Sequence, residues 1–170
     1  KSRGVLVRGS RGETAAYPLT LRAEAQVHNV MEKHGVLAPK VFGMIDDPLA
    51  IVMERLPGTI NTANISDATK RTKVRREFID VLARLHAIAP DEFAVTGLAI
   101  PSDAREIALS LYRPCIAIAR KAFSQRPFPL IEFYARWLER HAPRTRNKSA
   151  FITGDAGQFL YDDDRLTGLI

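Results

Sequence analysis

The chain has one cysteine in 170 residues, Cys115, so no internal disulfide is possible and a lone buried thiol in a reducing cytoplasm is expected. No apolar run approaches the ~20 residues that a membrane-spanning helix needs, and residues 1–9 lack the apolar core of a secretory signal. The histidines His28, His34, His86 and His141 have no metal-site spacing. Neither a P-loop, a zinc pattern, a haem attachment nor a nucleophile elbow is present. These absences exclude disulfide scaffolds, helical membrane proteins and several enzyme classes. What remains is a globular domain with enough apolar residues, 46%, for a proper core.

The net charge of +6 is unevenly spread. Nine Lys or Arg residues fall between Arg113 and Lys148, against only Glu132 and Glu139. Such a stretch suits nucleic acid, an acidic membrane surface, a phosphorylated small molecule or plain solvent. No nucleic-acid motif occurs. The expected partners therefore include neither nucleic acid nor a membrane.

Periodicity places a strand at 4–8, a helix at about 20–33 closed by Gly35, and two strands at 41–45 and 49–53 joined by Asp46-Asp47-Pro48. The clearest 3.6-residue stripe (Val74, Phe78, Val81, Leu82, Leu85, Ile88) predicts a helix capped by Ser66, with His86 as a hydrogen-bonded core residue. A further helix starts near Asp103, with Pro114 expected to kink or divide it. Another, at about 130–141, is expected to bury Phe133, Tyr134, Trp137 and Leu138. Residues 149–170 read as a strand, a Gly154-Asp155 loop, a second strand, a turn at Asp162-Asp163-Asp164 and a third strand. A carboxylate on a tight loop, with the Gln158 amide three positions on, suits a general base beside a metal ligand. A bare turn aspartate capping its own backbone is the competing reading.

The order and spacing of four segments decide between these. Ser149 to Ile170, Ile51 to Gly58, Leu21 to Ala25 and Val81 to His86 together resemble the aminoglycoside phosphotransferase and choline kinase-like family, a branch of the protein-kinase-like fold. The resemblance implies an α+β, bilobed protein. Residues 1–57 would be an incomplete antiparallel-sheet N-lobe ending in the hinge. Residues 58–170 would be a partial helical C-lobe ending in the catalytic-loop hairpin. It also implies ATP-dependent transfer of the γ-phosphoryl group to a small-molecule hydroxyl, with ATP and Mg²⁺ as cofactors. Asp155 would be the catalytic base and Gln158 a Mg²⁺ ligand. Arg8 would hold phosphates, Glu24 would orient Arg8, and the hinge at Met53 and Glu54 would receive the adenine.

Two residues depart from the family pattern. Thr153 stands where a histidine is usual, and Gln158 replaces an asparagine that lies five positions after the Asp. With a first residue other than Met and a last strand without a closing signal, the pattern is that of a fragment truncated at both ends, inactive by itself. The alternative is a non-catalytic fragment or pseudokinase that binds nucleotide weakly or not at all. The acceptor alcohol is not specified by the resemblance.

Overall fold

The computed structural model describes residues 4–9, 19–124, 126, 128–145, 148–153 and 157–170. The chain divides into two compact units. One takes the described residues up to 98 and those from 150 onward, and the other takes the described residues of 99–149.

The first unit begins with three strands, β1 (Val5–Gly9), β2 (Val41–Asp46) and β3 (Leu49–Glu54), in one antiparallel sheet of order β1-β3-β2. The apolar run Ala50, Ile51 and Met53 is buried because β3 lies in the centre. Val5, Leu6 and Val7 are all exposed. As the edge strand, β1 uses its backbone on β3 and gains little cover for its side chains.

Helix α1 (Leu21–Lys33) starts where Thr20 accepts a hydrogen bond from the Ala23 amide at 3.2 Å. It ends at Gly35, whose φ of +66° is open to glycine at no steric cost. One side of α1 brings Ala25 against Ile51 and Met53 of the sheet. Another brings Val27, Val30 and Met31 into a larger core with α2 (Ala68–Ala87) and the C-terminal hairpin.

The stripe on α2 is buried as its period predicts, with Val74 and Leu85 fully enclosed. Fully burying such a side chain contributes roughly 1.5–3 kcal/mol. The cap differs from the expected Ser66. Asp67 accepts from the Thr69 and Lys70 amides at 2.7 and 3.1 Å, because its carboxylate sits one residue closer to the first turn. His86 is exposed rather than in the core, since it falls off the buried stripe. A 3₁₀ turn at Pro90–Thr96 packs on α1 and stacks Phe93 on Phe151.

Strands β4 (Phe159–Asp162) and β5 (Arg165–Leu169) form the expected hairpin, turning at Asp163, which has a positive φ of 51°. Phe159 stacks on Phe78 of α2 with ring centres 4.3 Å apart. Residues 149–153 were expected to be a strand but form none. No described strand pairs with them, and Phe151 is held by its ring contact with Phe93 instead.

The second unit contains α3 (Ala104–Leu109), α4 (Tyr112–Ala122) and α5 (Pro129–His141). The break between α3 and α4 falls at Ser110–Leu111, before Pro114 rather than at it. A proline ring clashes with the carbonyl four residues earlier, here Ser110, so the helix restarts with Pro114 in its first turn. Two expectations fail in this unit. Cys115 is exposed. On α5 the buried residue is Ala135, while Phe133, Tyr134, Trp137 and Leu138 are exposed, Phe133 at 61%. Arginine–carboxylate pairs occupy the side of α5 toward α4. Arg120 grips Glu132 with two bonds of 2.8 and 2.9 Å, and Arg113 reaches Glu139 at 2.9 Å and Glu106 at 2.6 Å.

Candidate active site

The described part of the candidate site belongs to the first unit and begins with the pairing of β1 against β3. That register sets Arg8, near the end of β1, opposite Ile51 of β3, over which α1 packs. Glu24 stands in the first turn of α1, where the positive end of the helix dipole favours a carboxylate. Arg8 Nε and Glu24 Oε1 lie 2.6 Å apart, with the arginine side chain 38% and the glutamate 19% exposed. An arginine held at Nε keeps its two terminal NH₂ groups for an outside oxyanion.

One turn along α1, sequence reasoning missed His28. It is buried, its Nδ1 has no hydrogen-bond partner, and its pKa falls from 6.5 to about 4. Desolvation is the main cause and the Arg8 charge the second. His28 is thus neutral at pH 7, so it adds no positive charge to compete with Arg8 for Glu24. Its spacing of four from Glu24 is the signal that places both on one helical face.

The chain leaves β3 through Arg55, Leu56 and Pro57. Met53 is buried against Ile51 and Ala25, and Glu54 is half-buried. The Glu54 amide donates to the Lys40 carbonyl at 2.8 Å and the Arg55 amide to Gly4 at 3.1 Å. The Leu56 amide is the first after the strand without a partner among the described residues.

The hairpin docks on this segment. Thr167 Oγ1 donates to the Pro57 carbonyl at 2.7 Å, and Thr59 and Tyr161 exchange backbone bonds of 2.9 and 3.0 Å. The approach is close enough to demand glycine. At Gly58, φ is +110° and an added Cβ would lie 2.1 Å from the Tyr161 carbonyl oxygen.

Three more ties to α2 hold the hairpin and were not foreseen from the sequence. Lys70 pairs with Asp163 and Lys73 with Asp164, each at 2.6 Å, and Glu77 accepts from the Leu166 amide at 2.7 Å. The Lys73 ammonium holds the Asp164 carboxyl below its ordinary pKa. The i, i+3 spacing of the two lysines opposite a run of three aspartates was the available signal.

Gln158 stands just before β4, half-buried, with its carbonyl accepting from the Ile170 amide at 3.1 Å. Its side chain makes no hydrogen bond with the described residues. Asp155 lies outside the described residues. Among the described residues no three His, Cys, Asp or Glu side chains converge on a metal position. A Mg²⁺ ion takes oxygen ligands, one or two of them carboxylates, and the Gln158 amide oxygen is a donor of that kind.

The sheet, the Arg8–Glu24 pair and the docked hairpin all belong to the first unit. The model of a family described as "Phosphotransferase enzyme family" matches residues 3–170. No curated protein matches the chain.

Proposed function

The chain belongs to the phosphotransferase enzyme family, and from that premise we propose that the full-length protein transfers the γ-phosphoryl group of ATP to the hydroxyl of a small molecule. The mixed α+β architecture, with a small antiparallel sheet and a mainly helical remainder, is compatible with the protein-kinase-like fold of that family. The observation that carries the reading is the 2.6 Å Arg8–Glu24 pair between the first strand and the first helix.

In this reading Arg8 grips phosphate oxygens while Glu24 fixes the direction of its guanidinium. The adenine sits at the hinge framed by Met53 and Glu54. There the free Leu56 amide is the donor, because those of Glu54 and Arg55 are already engaged. Asp155 accepts the proton of the acceptor hydroxyl as its oxygen bonds to the γ-phosphorus. The bond from that phosphorus to the β–γ bridging oxygen breaks, and ADP leaves. Mg²⁺ bound with ATP, with the Gln158 amide oxygen as one ligand, would neutralise charge on the transferring phosphoryl group.

The test is ATP consumption by the full-length protein over a panel of small alcohols, compared with its Asp155→Asn variant. The variant should keep its melting temperature and lose roughly 10²–10⁴-fold in turnover, the usual reach of a positioned base. Near-normal turnover in Asp155→Asn would reduce Asp155 to a turn residue.

A further inference from the structure

The helical unit contains a feature that the phosphotransfer reading does not use. A cleft of about 420 Å³ between α4 and α5 is lined by Tyr112, Arg113, Arg120, Arg136, Glu139 and Arg140. Its volume falls within the range of small-molecule sites, roughly 300–1,000 Å³.

The arginines divide into two kinds. Arg113 is committed to Glu106 and Glu139, and Arg120 to Glu132. Glu139 is also shared with Arg105. Arg136 has only the distant attraction of Glu132, and Arg140 has no ion-pair partner among the described residues. These two stand four residues apart on α5, one above the other, where like charges destabilise a helix. An oxyanion between them removes that repulsion.

The second observation is independent of charge. The Tyr112 hydroxyl is enclosed and has no hydrogen-bond partner. An enclosed hydroxyl left unpaired costs about 1–3 kcal/mol, which an acceptor oxygen in the cleft would recover. Tyr112 lines the same cleft as the Arg136 and Arg140 side chains.

We propose that this cleft binds a small molecule bearing a phosphate or carboxylate group. Arg136 and Arg140 hold the oxyanion, and the Tyr112 hydroxyl donates to it. Arg113 and Arg120, fixed by their carboxylates, form the walls. The site is independent of ATP and of the Arg8–Glu24 pair, so it stands or falls separately from the phosphotransfer reading.

The test is calorimetric titration of the 170-residue chain with inorganic phosphate and with citrate at constant ionic strength. At least one should saturate a single site, and the tighter of the two identifies the preferred oxyanion. Arg136→Gln/Arg140→Gln should weaken binding about tenfold or more, the strength of charge-assisted hydrogen bonds, without lowering the melting temperature. Tyr112→Phe should weaken it severalfold. The proposal is overturned if neither anion saturates by roughly 10 mM, an affinity scale of only a few kcal/mol. It is also overturned if the double variant, or Arg140→Gln alone where the double does not fold, binds as the parent does. Unchanged binding in Tyr112→Phe removes the hydroxyl from the site.

Discussion

The unit that carries the sheet and hairpin and the unit of α3, α4 and α5 are held by different chemistry. In the first, Val74, Phe78, Leu85, Phe159 and Leu169 close one apolar core, and the ion pairs sit at its edges. In the second, Ala104, Leu109 and Ala135 are the buried apolar residues among those described, while Arg105, Arg113 and Arg120 share three glutamates between the helices. An apolar core excludes water and resists salt. Exposed guanidinium–carboxylate pairs set register and orientation but are screened. Precise placement of strand, helix and hairpin is what an active site requires, and it comes from the first kind of packing.

The largest test of this contrast is a pair of truncations. Leu85→Ala, at a position with no exposure, should cost 2–5 kcal/mol (order of magnitude, roughly) in urea unfolding. Trp137→Ala on the exposed face of α5 should cost about 0.5 kcal/mol or less. Comparable losses would mean that the α5 aromatics are as structural as the α2 stripe.

Next in size is the pH response of the first unit. His28 titrates near 6.5 when unfolded and at about 4 when folded, so the unfolded chain binds the extra proton between those values. Stability is complete above pH 6.5 and falls as pH drops toward 4, by roughly 3 kcal/mol in total. A His28→Gln variant should lose that slope in denaturant titrations at successive pH values. An unchanged slope would assign the acid sensitivity to other groups.

The smallest expected effect distinguishes the units by salt. Raising ionic strength should speed amide exchange in α4 and α5 and leave α2 unchanged. Equal responses would show that the arginine–glutamate pairs do not hold the helices together.

The same contrast explains what could be read from the sequence. The α2 stripe, the β2–β3 hairpin and the β4–β5 hairpin were legible because dense packing makes burial follow period. In α5 the aromatic stripe has helical period too, yet period reports amphipathicity and not what covers the apolar side. The exposure of Cys115 and His86 follows from the same limit, since α4 buries none of its residues and His86 lies on α2 off its buried face. The cap at Asp67 was missed because Ser66 and Asp67 are both good capping residues and only geometry separates them. Arg8 and Glu24 were named from the resemblance, and their approach to 2.6 Å depends on strand register and helix packing that no local pattern states. His28 could not be read as buried and neutral, because its burial is made by neighbours distant in sequence.

The central claim is that the Arg8–Glu24 pair holds nucleotide phosphate, and a calorimetric comparison of ATP with adenosine tests it most directly. Arg8→Ala should weaken ATP binding by roughly ten- to a hundredfold, the worth of a charge-assisted hydrogen bond, and leave adenosine binding unchanged. Glu24→Gln should produce a smaller loss of the same kind, because Arg8 remains but is no longer aimed. If a folded Arg8→Ala chain binds ATP as the parent does, or the parent binds ATP no better than adenosine, the claim is contradicted.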